Sequence, residues 1–247
     1  MVKIGNVALN RVPRIAIAIS DKEDNRSIKS SEVDIVEVRL DQFESLDSRH
    51  IKNSIIARKE LGIPLILTIR SKAEGGARHI TDRSKLKIFE DTISLVDAVD
   101  IELRSSIVSK VIALAKKNKK VAIVSWHDFK STPDNRTLVG ILRKAKKLGA
   151  DIVKIAAKAN KAEDIVKLLE FTRANKDKNI ITISLGSIGA ISRLFFPMVG
   201  SLITYSYISQ PSGSGQLPLE ILREQLRLYY PQYNQAFIKK SGIIENA

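Results

Sequence analysis

The sequence has no cysteine. That excludes a disulfide framework, a thiolate nucleophile and any cysteine-held zinc or iron–sulfur centre. Its three histidines leave little for an all-histidine metal site. Aromatic residues make up only 5% of the chain and do not interleave with its basic runs, so a base-stacking platform for nucleic acid is not expected. No stretch approaches the roughly 18 consecutive apolar residues of a membrane helix. Residues 1–5 lead into no long apolar segment with a small-residue cleavage site, so a soluble, unexported, cytoplasmic protein is expected. No Pro/Gly/Ser-rich linker divides the chain, and Ser212-Gly213-Ser214-Gly215 comes too late to be a joint. The 247 residues therefore read as one domain, 1–247, whose chemistry must come from lysine, histidine, arginine and carboxylates.

Apolar, β-branched runs recur along the chain: 14–20 (RIAIAIS), 34–41 (DIVEVRLD), 64–70 (PLILTIR), 99–103 (VDIEL), 121–127 (VAIVSWH), 151–157 (DIVKIAA), 180–186 (IITISLG) and 202–207 (LITYSY). Near-continuous apolar runs suit strands buried on both faces, and helical crossovers between them make those strands parallel. Helix signals fill most gaps. Thr132-Pro133 reads as a cap with proline at the first helical position, and Gly149 follows the basic turn at 143–147. Leu138, Ile141 and Leu142 line one face of that helix; Ile165, Val166, Leu168, Leu169 and Phe171 supply the next. The first crossover, 21–33, offers only Ile28 and Val33 as apolar anchors. Eight strands and about eight helices in this length match an α/β (β/α)8 TIM barrel. An open doubly wound sheet would give a similar string, but no G-x-G-x-x-G follows the first strand.

Strand parity then places charges. Glu37, Arg39 and Asp41 share one face of the second strand and Val36, Val38 and Leu40 the other, so the charged face looks into the barrel. Parity groups Thr68 with Arg70, Asp100 with Glu102, Ser125 with His127, Thr182 with Ser184 and Thr204 with Ser206. Polar groups gathered at strand C-termini predict a pocket for a small polar ligand. Lys154 interrupts Ile152, Val153, Ile155, Ala156 and Ala157. Desolvation in apolar surroundings would disfavour its ammonium form and free the amine to attack a carbonyl. The alternatives are a structural lysine ion-paired with Asp100 or Glu102, or one reaching solvent. His127 ends the preceding strand and is suited to proton transfer beside it. His50 falls in a surface helix and His79 in a loop. A Schiff-base lysine beside a histidine leaves two chemistries open, carbon–carbon cleavage and loss of water β to a carbonyl.

The set of motifs is more specific. Glu37-x-Arg39-x-Asp41, the R-x-x-x-E-G-G of 70–76, S-W-H-D at 125–128, D-I-V-K-I-A around Lys154, GAISR at 189–193 and PSGSGQ at 211–216 resemble, in order and spacing, those of type I 3-dehydroquinate dehydratases. The resemblance runs from the first strand to about Leu228. Ser184-Leu185-Gly186 departs from the family's common S-M-G, and Gly213-Ser214 from Ala-Pro in its final loop; Gly-Ser leaves the unfolded loop more freedom. The resemblance implies that Lys154 forms an imine with the ketone of 3-dehydroquinate, that His127 is general base and acid, and that Glu74 orients it. It further implies that Arg193 binds the substrate carboxylate, that Glu37, Arg39 and Arg70 meet ring hydroxyls and balance charge, and that Ser212 and Gln216 close over the ring. No cofactor or metal is expected, since the imine is the electron sink. A homodimer is expected, with 194–198 (LFFPM) as a candidate contact.

Two other readings are weighed. A class I Schiff-base aldolase or transaldolase acting on a sugar phosphate would call for glycine-rich turns after strands seven and eight. Gly186-Ser187-Ile188-Gly189 is a partial match and the eighth strand has none. A nucleic-acid-binding protein is suggested by the net charge of +14 and the runs 116–120 and 143–147. Both runs fall at helix ends, where cations complement the macrodipole, so no nucleic-acid partner is expected.

Overall fold

The structure, a computed structural model, describes residues 1–9 and 12–241. All eight apolar runs form strands: β1 Arg14–Ile19, β2 Ile35–Arg39, β3 Leu65–Thr68, β4 Ala98–Glu102, β5 Val121–Asp128, β6 Ile152–Lys158, β7 Ile180–Leu185 and β8 Ile203–Tyr207. They pair in parallel in the order β8, β1, β2 through to β7. The cylinder closes where Ile180 bridges Ser201 just before β8, with Leu202 N donating to the Ile180 carbonyl at 2.9 Å. The two-residue strand Leu217–Pro218 lies beside β8. This is the (β/α)8 barrel that the spacing of the runs implies.

The helices are α1 Ser48–Lys59, α2 Asp82–Thr92, α3 Val108–Lys117, α4 Asn135–Leu148, α5 Ala162–Ala174, α6 Ser192–Phe195, α7 Leu219–Tyr229 and α8 Pro231–Ser241. Their apolar faces, including Ile51, Phe89, Val111, Leu138, Leu168 and Leu222, bury against outward-facing strand residues such as Ile17, Val36, Val38 and Leu67. Each such side chain contributes about 1.5–3 kcal/mol of burial. The first crossover has no α-helix, only a 3-10 turn at Asn25–Ser27, because Ile28 and Val33 alone cannot make an apolar stripe. The start of α4 also differs from expectation. Asp134, not Thr132, is the cap and accepts from Thr137 N, while Thr132 Oγ1 donates to the Lys158 carbonyl at 2.9 Å. Gly149 ends that helix at φ 97°, as expected.

Inside the cylinder the layers differ in chemistry. Ala16, Ile35, Ile66, Ala98, Ile123, Ile152, Ile181 and Ile203 belong to one apolar cluster at the N-terminal end, which Ile4 and Leu9 of a small hairpin (Lys3–Ile4 with Val7–Ala8) plug from below. One pleat higher stand Glu37, Thr68, Asp100, Ser125, Lys154 and Tyr205, and above them Arg39, Glu102 and His127. Parity fails as a guide on β7 and β8. Their inward residues are Ile181, Ile183, Leu185, Ile203 and Tyr205. Thr182 instead bonds Thr172 of α5 (2.6 Å), Thr204 donates to the Arg193 carbonyl (2.7 Å), Ser206 donates to the Leu217 carbonyl (2.7 Å), and Ser184 packs beside Ser192. Hydroxyls satisfied by the helical layer carry no information about which face is inside.

Candidate active site

One cavity at the C-terminal end of the barrel is lined by Glu37, Arg39, Arg70, Glu74, His127, Lys154, Arg193, Ser212 and Gln216. Every site residue named from the sequence is therefore brought to the same space. Ala18, Ala156, Ile183, Leu185, Phe129 and Tyr205 supply its apolar and aromatic wall.

Lys154 is buried, but its surroundings are not the apolar ones the β6 sequence suggests. Its Nζ lies 3.2 Å from Glu37 Oε2, 3.3 Å from Asp100 Oδ2 and 4.0 Å from the centroid of the Tyr205 ring. Of the two carboxylates considered for it, Asp100 is a partner, whereas Glu102 goes to Arg70 and Lys85. Register alone runs from Lys154 through Ser125 to Glu102, but the tilt of the barrel strands lowers the level facing Lys154 by one pleat over two strands, which brings Asp100 and not Glu102 to its amine. Glu37 is fixed from its other oxygen by Thr68 Oγ1 at 2.7 Å. Burial would raise Asp100, but Arg70 and Lys154 outweigh it and hold the carboxyl well below the usual range. Arg70 reaches Asp100 Oδ1 at 2.9 Å and Glu102 Oε1 at 3.3 Å and donates to Ser125 Oγ at 2.7 Å. These buried charges thus satisfy one another, the condition under which a barrel interior tolerates them.

The His127 ring stacks on Phe129 and is oriented by Glu74. The His127 backbone N–H and ring Nδ1 both meet Glu74 Oε2 at 2.9 Å. Glu74 sits in a 3-10 turn, Lys72–Glu74, rather than an open loop, and is buried. Asp41 ties that turn down by accepting from Arg70 N and Ala77 N while forming a two-pronged pair with Arg39 (2.9 Å each). Asp41 lies beyond the end of β2, in the 3-10 turn Leu40–Gln42, so its work is on the loop and not inside the barrel. Burial pushes the Glu74 carboxyl up to about 7. Burial, then the Arg70 and Lys154 cations, holds the His127 imidazole well below its ordinary value. A neutral imidazole donating from Nδ1 to Glu74 leaves Nε2 as the basic atom.

Arg193 is the cation of the cavity without a carboxylate partner among the described residues. It is buried on α6, its Nε has no hydrogen-bond acceptor, and burial pulls its pKa down to about 10. An uncompensated guanidinium facing a cavity is a built site for a planar anion, above all a carboxylate. Ser212 and Gln216 close one side of the cavity as a knot: Gln216 Oε1 accepts from Ser212 N (2.7 Å) and Gly213 N (3.1 Å), and its amide donates to Ser212 Oγ. The knot rests on the β7 end, where a Cβ on Gly215 (φ 77°) would come within 2.3 Å of the Gly186 carbonyl oxygen.

Four contributors were not named from the sequence as site residues. Asp100 and Ser125 carried a signal, since parity placed them inward. Tyr205 gave none, because the β8 hydroxyls pointed parity to the wrong face. Arg104 follows β4; it stacks 4.7 Å over Trp126, donates to the His127 carbonyl, and lies 3.5 Å from Glu74 Oε1. His50 and His79 lie outside the cavity, His50 on α1 paired with Asp21 at 2.8 Å. Among the described residues no cluster of three or more histidines and carboxylates could hold a metal ion.

The family model for type I 3-dehydroquinase matches residues 16–232. The chain is 34% identical to the 3-dehydroquinate dehydratase of Methanococcoides burtonii over 92% of its length and 99% of that protein's. It is 38% identical to that of Hydrogenobaculum sp., covering 88% and 99%. Among solved structures, the type I 3-dehydroquinate dehydratase of Clostridium difficile, which carries covalently modified comenic acid, superposes with a TM-score of 0.86 at 30% identity, covering 94% of this chain and 98% of that one.

Proposed function

The chain belongs to the type I 3-dehydroquinase family and is a hydro-lyase of that family; from that premise we propose how residues 1–247, as one catalytic domain, turn 3-dehydroquinate into 3-dehydroshikimate and water. Lys154 Nζ passes one ammonium proton to His127 Nε2 and attacks the ketone carbon; the carbinolamine oxygen takes that proton back, with a second from the nitrogen, and leaves as water to give a protonated imine on the lysine. The imine draws electrons and acidifies the adjacent carbon. Nε2 of His127 takes that proton, and the resulting enamine expels the hydroxyl on the β carbon as water with the proton His127 returns. Hydrolysis of the conjugated imine releases product and restores the amine. General acid–base work of this kind contributes about 10²–10⁴ in rate.

The remaining cavity residues bind and orient. Arg193 takes the substrate carboxylate, Glu37, Arg39 and Arg70 face ring hydroxyls, and Ser212 and Gln216 cover the ring. The lysine supplies the electron sink, so this route needs neither metal nor organic cofactor. The observation that carries the reading is the neutral, Glu74-oriented His127 sharing one cavity with the buried Lys154 and the unpaired Arg193. The aldolase and transaldolase alternative gains nothing from the relatives, which are dehydratases. The reading is tested by mixing purified protein with 3-dehydroquinate and following the ultraviolet absorbance of the conjugated enone product. A rise that Lys154→Ala abolishes supports it, and a flat trace from folded wild type refutes it.

We propose further that the protein works in the cytoplasm as a homodimer. No helix among the described residues is long and apolar enough to cross a membrane. The 194–198 segment divides its side chains: Phe196 is buried in the core, while Phe195 and Met198 face outward beside the exposed Ile188 and Ile191, the patch a second copy would cover. The basic residues Lys116, Lys117, Lys146 and Lys147 sit in the last turns of α3 and α4. There they complement helix dipoles, and no nucleic-acid partner is proposed.

A further inference from the structure

Two buried donors of the cavity wall find no hydrogen-bond partner among the described residues, Arg193 Nε and the Tyr205 hydroxyl. The first is accounted for by a carboxylate. The second has no counterpart in the mechanism above. Tyr205 projects inward from β8, only 3% exposed, and its ring faces the Lys154 amine at 4.0 Å. Glu37 on β2 and Asp100 on β4 hold the same amine by charge, so the aromatic face supplies a third side of its seat. The hydroxyl lies close enough to Glu37 to feel its carboxylate but makes no well-directed hydrogen bond to it, and Glu37 Oε1 already accepts from Thr68 while Oε2 meets Lys154. A buried hydroxyl without a partner is costly, and one lining a ligand cavity is satisfied when a ligand oxygen arrives.

We infer that Tyr205 binds substrate and positions Lys154: its O–H donates to a hydroxyl oxygen of the bound ring, whose own proton points to Glu37, while its ring keeps the lysine amine in place. This deepens, and rests on, the dehydratase reading of the cavity. A hydroxyl fits better than the carboxylate here because Glu37 and Asp100 already take up Lys154 and Arg70, leaving no uncompensated cation on this side, whereas Arg193 has no carboxylate partner among the described residues. Burial, followed by the Glu37 and Asp100 charges, pushes the phenol pKa well above its ordinary value, so the group stays a neutral donor.

Tyr205→Phe removes the hydroxyl and keeps the ring; Tyr205→Leu removes both. Steady-state kinetics on 3-dehydroquinate, with melting temperatures as a folding control, separates the two roles. For Tyr205→Phe the expected result is a KM raised about 3- to 10-fold, the size of one neutral hydrogen bond, with kcat within about twofold. For Tyr205→Leu, kcat falls in addition, and the imine trapped by borohydride accumulates more slowly than in Tyr205→Phe. An unchanged KM in Tyr205→Phe overturns the hydroxyl contact, as does a fall in kcat at constant KM. Equal trapping rates in the two variants overturn the positioning role. Absence of turnover in the wild type would instead refute the dehydratase reading beneath the inference.

Discussion

One oxygen of Glu74, Oε2, accepts from both the backbone N–H and the ring Nδ1 of His127, each at 2.9 Å. A single carboxylate oxygen thereby fixes the residue's position and ring orientation and, when Glu74 is ionised, holds the proton on Nδ1 and leaves Nε2 as the basic atom. The groups facing this carboxylate are Arg70 at the end of β3, Glu102 on β4, Arg104 after it and His127 on β5.

Replacing Glu74 by Gln is expected to lower kcat about 10- to 100-fold, part of the acid–base contribution, with little change in KM. It should also alter the pH profile. His127 is held well below its ordinary pKa, so the group that must ionise near neutrality is Glu74, at about 7. Wild-type kcat/KM, which reports the free enzyme, is expected to rise with pH along a limb centred near that value, and Glu74→Gln to lose the limb. Stability moves the other way. Folded Glu74 holds its proton more tightly than the unfolded chain, where its pKa is 4.5. Native stability therefore falls as pH rises from about 4.5 to about 7, by up to about 3 kcal/mol. Denaturant titrations of wild type and Glu74→Gln across that window check the sign.

Arg104 is half exposed and helps keep Glu74 ionised from 3.5 Å. Arg104→Gln should move the kcat/KM limb upward, by less than about one pH unit because water screens the pair. Added salt should shrink the wild-type–variant difference. A limb that stays in place would show that burial, Arg70, Glu102 and the His127 N–H set Glu74 without Arg104.

Arg193 sets function against stability. Arg193→Met removes a buried charge with no carboxylate partner, so the melting temperature of the ligand-free protein should rise while turnover is lost. Arg193→Lys keeps the charge but not the planar fork and should raise KM about tenfold or more. Calorimetry and steady-state kinetics on the two variants test both halves.

Gly215 stands where φ is 77° and a Cβ would meet the Gly186 carbonyl oxygen at 2.3 Å. Gly215→Ala should push the Ser212–Gln216 knot off the β7 end, raising KM more than it lowers kcat. An unchanged KM would mean that the loop does not contribute to binding.

How far the sequence disclosed this protein depended on whether misplacement would be expensive. A lysine and three charges inside apolar β runs admit few structures, so Lys154, Glu37, Arg39 and the barrel were readable from one chain. Hydroxyls on β7 and β8 were not, because Thr182 and Thr204 are equally content bonding to Thr172 and to the Arg193 carbonyl. The start of α4 was missed for a similar reason: Thr132 and Asp134 are both good caps, and three-dimensional contacts of Thr132 decided between them. Arg193 lies on a four-residue helix with no periodicity to assign its face, and only the family resemblance pointed to it. Parity gave Asp100 its face and made it, with Glu102, a candidate partner of Lys154; only the tilt of the barrel strands chose Asp100 between them.

The central claim is the covalent bond between Lys154 and the substrate ketone. Intact mass after incubation with 3-dehydroquinate and borohydride tests it most directly, because reduction makes the imine irreversible. The account predicts a ligand-sized mass gain located on Lys154 and absent from Lys154→Ala. Folded, active wild-type protein that gains no mass, or a gain that persists in Lys154→Ala, would contradict it.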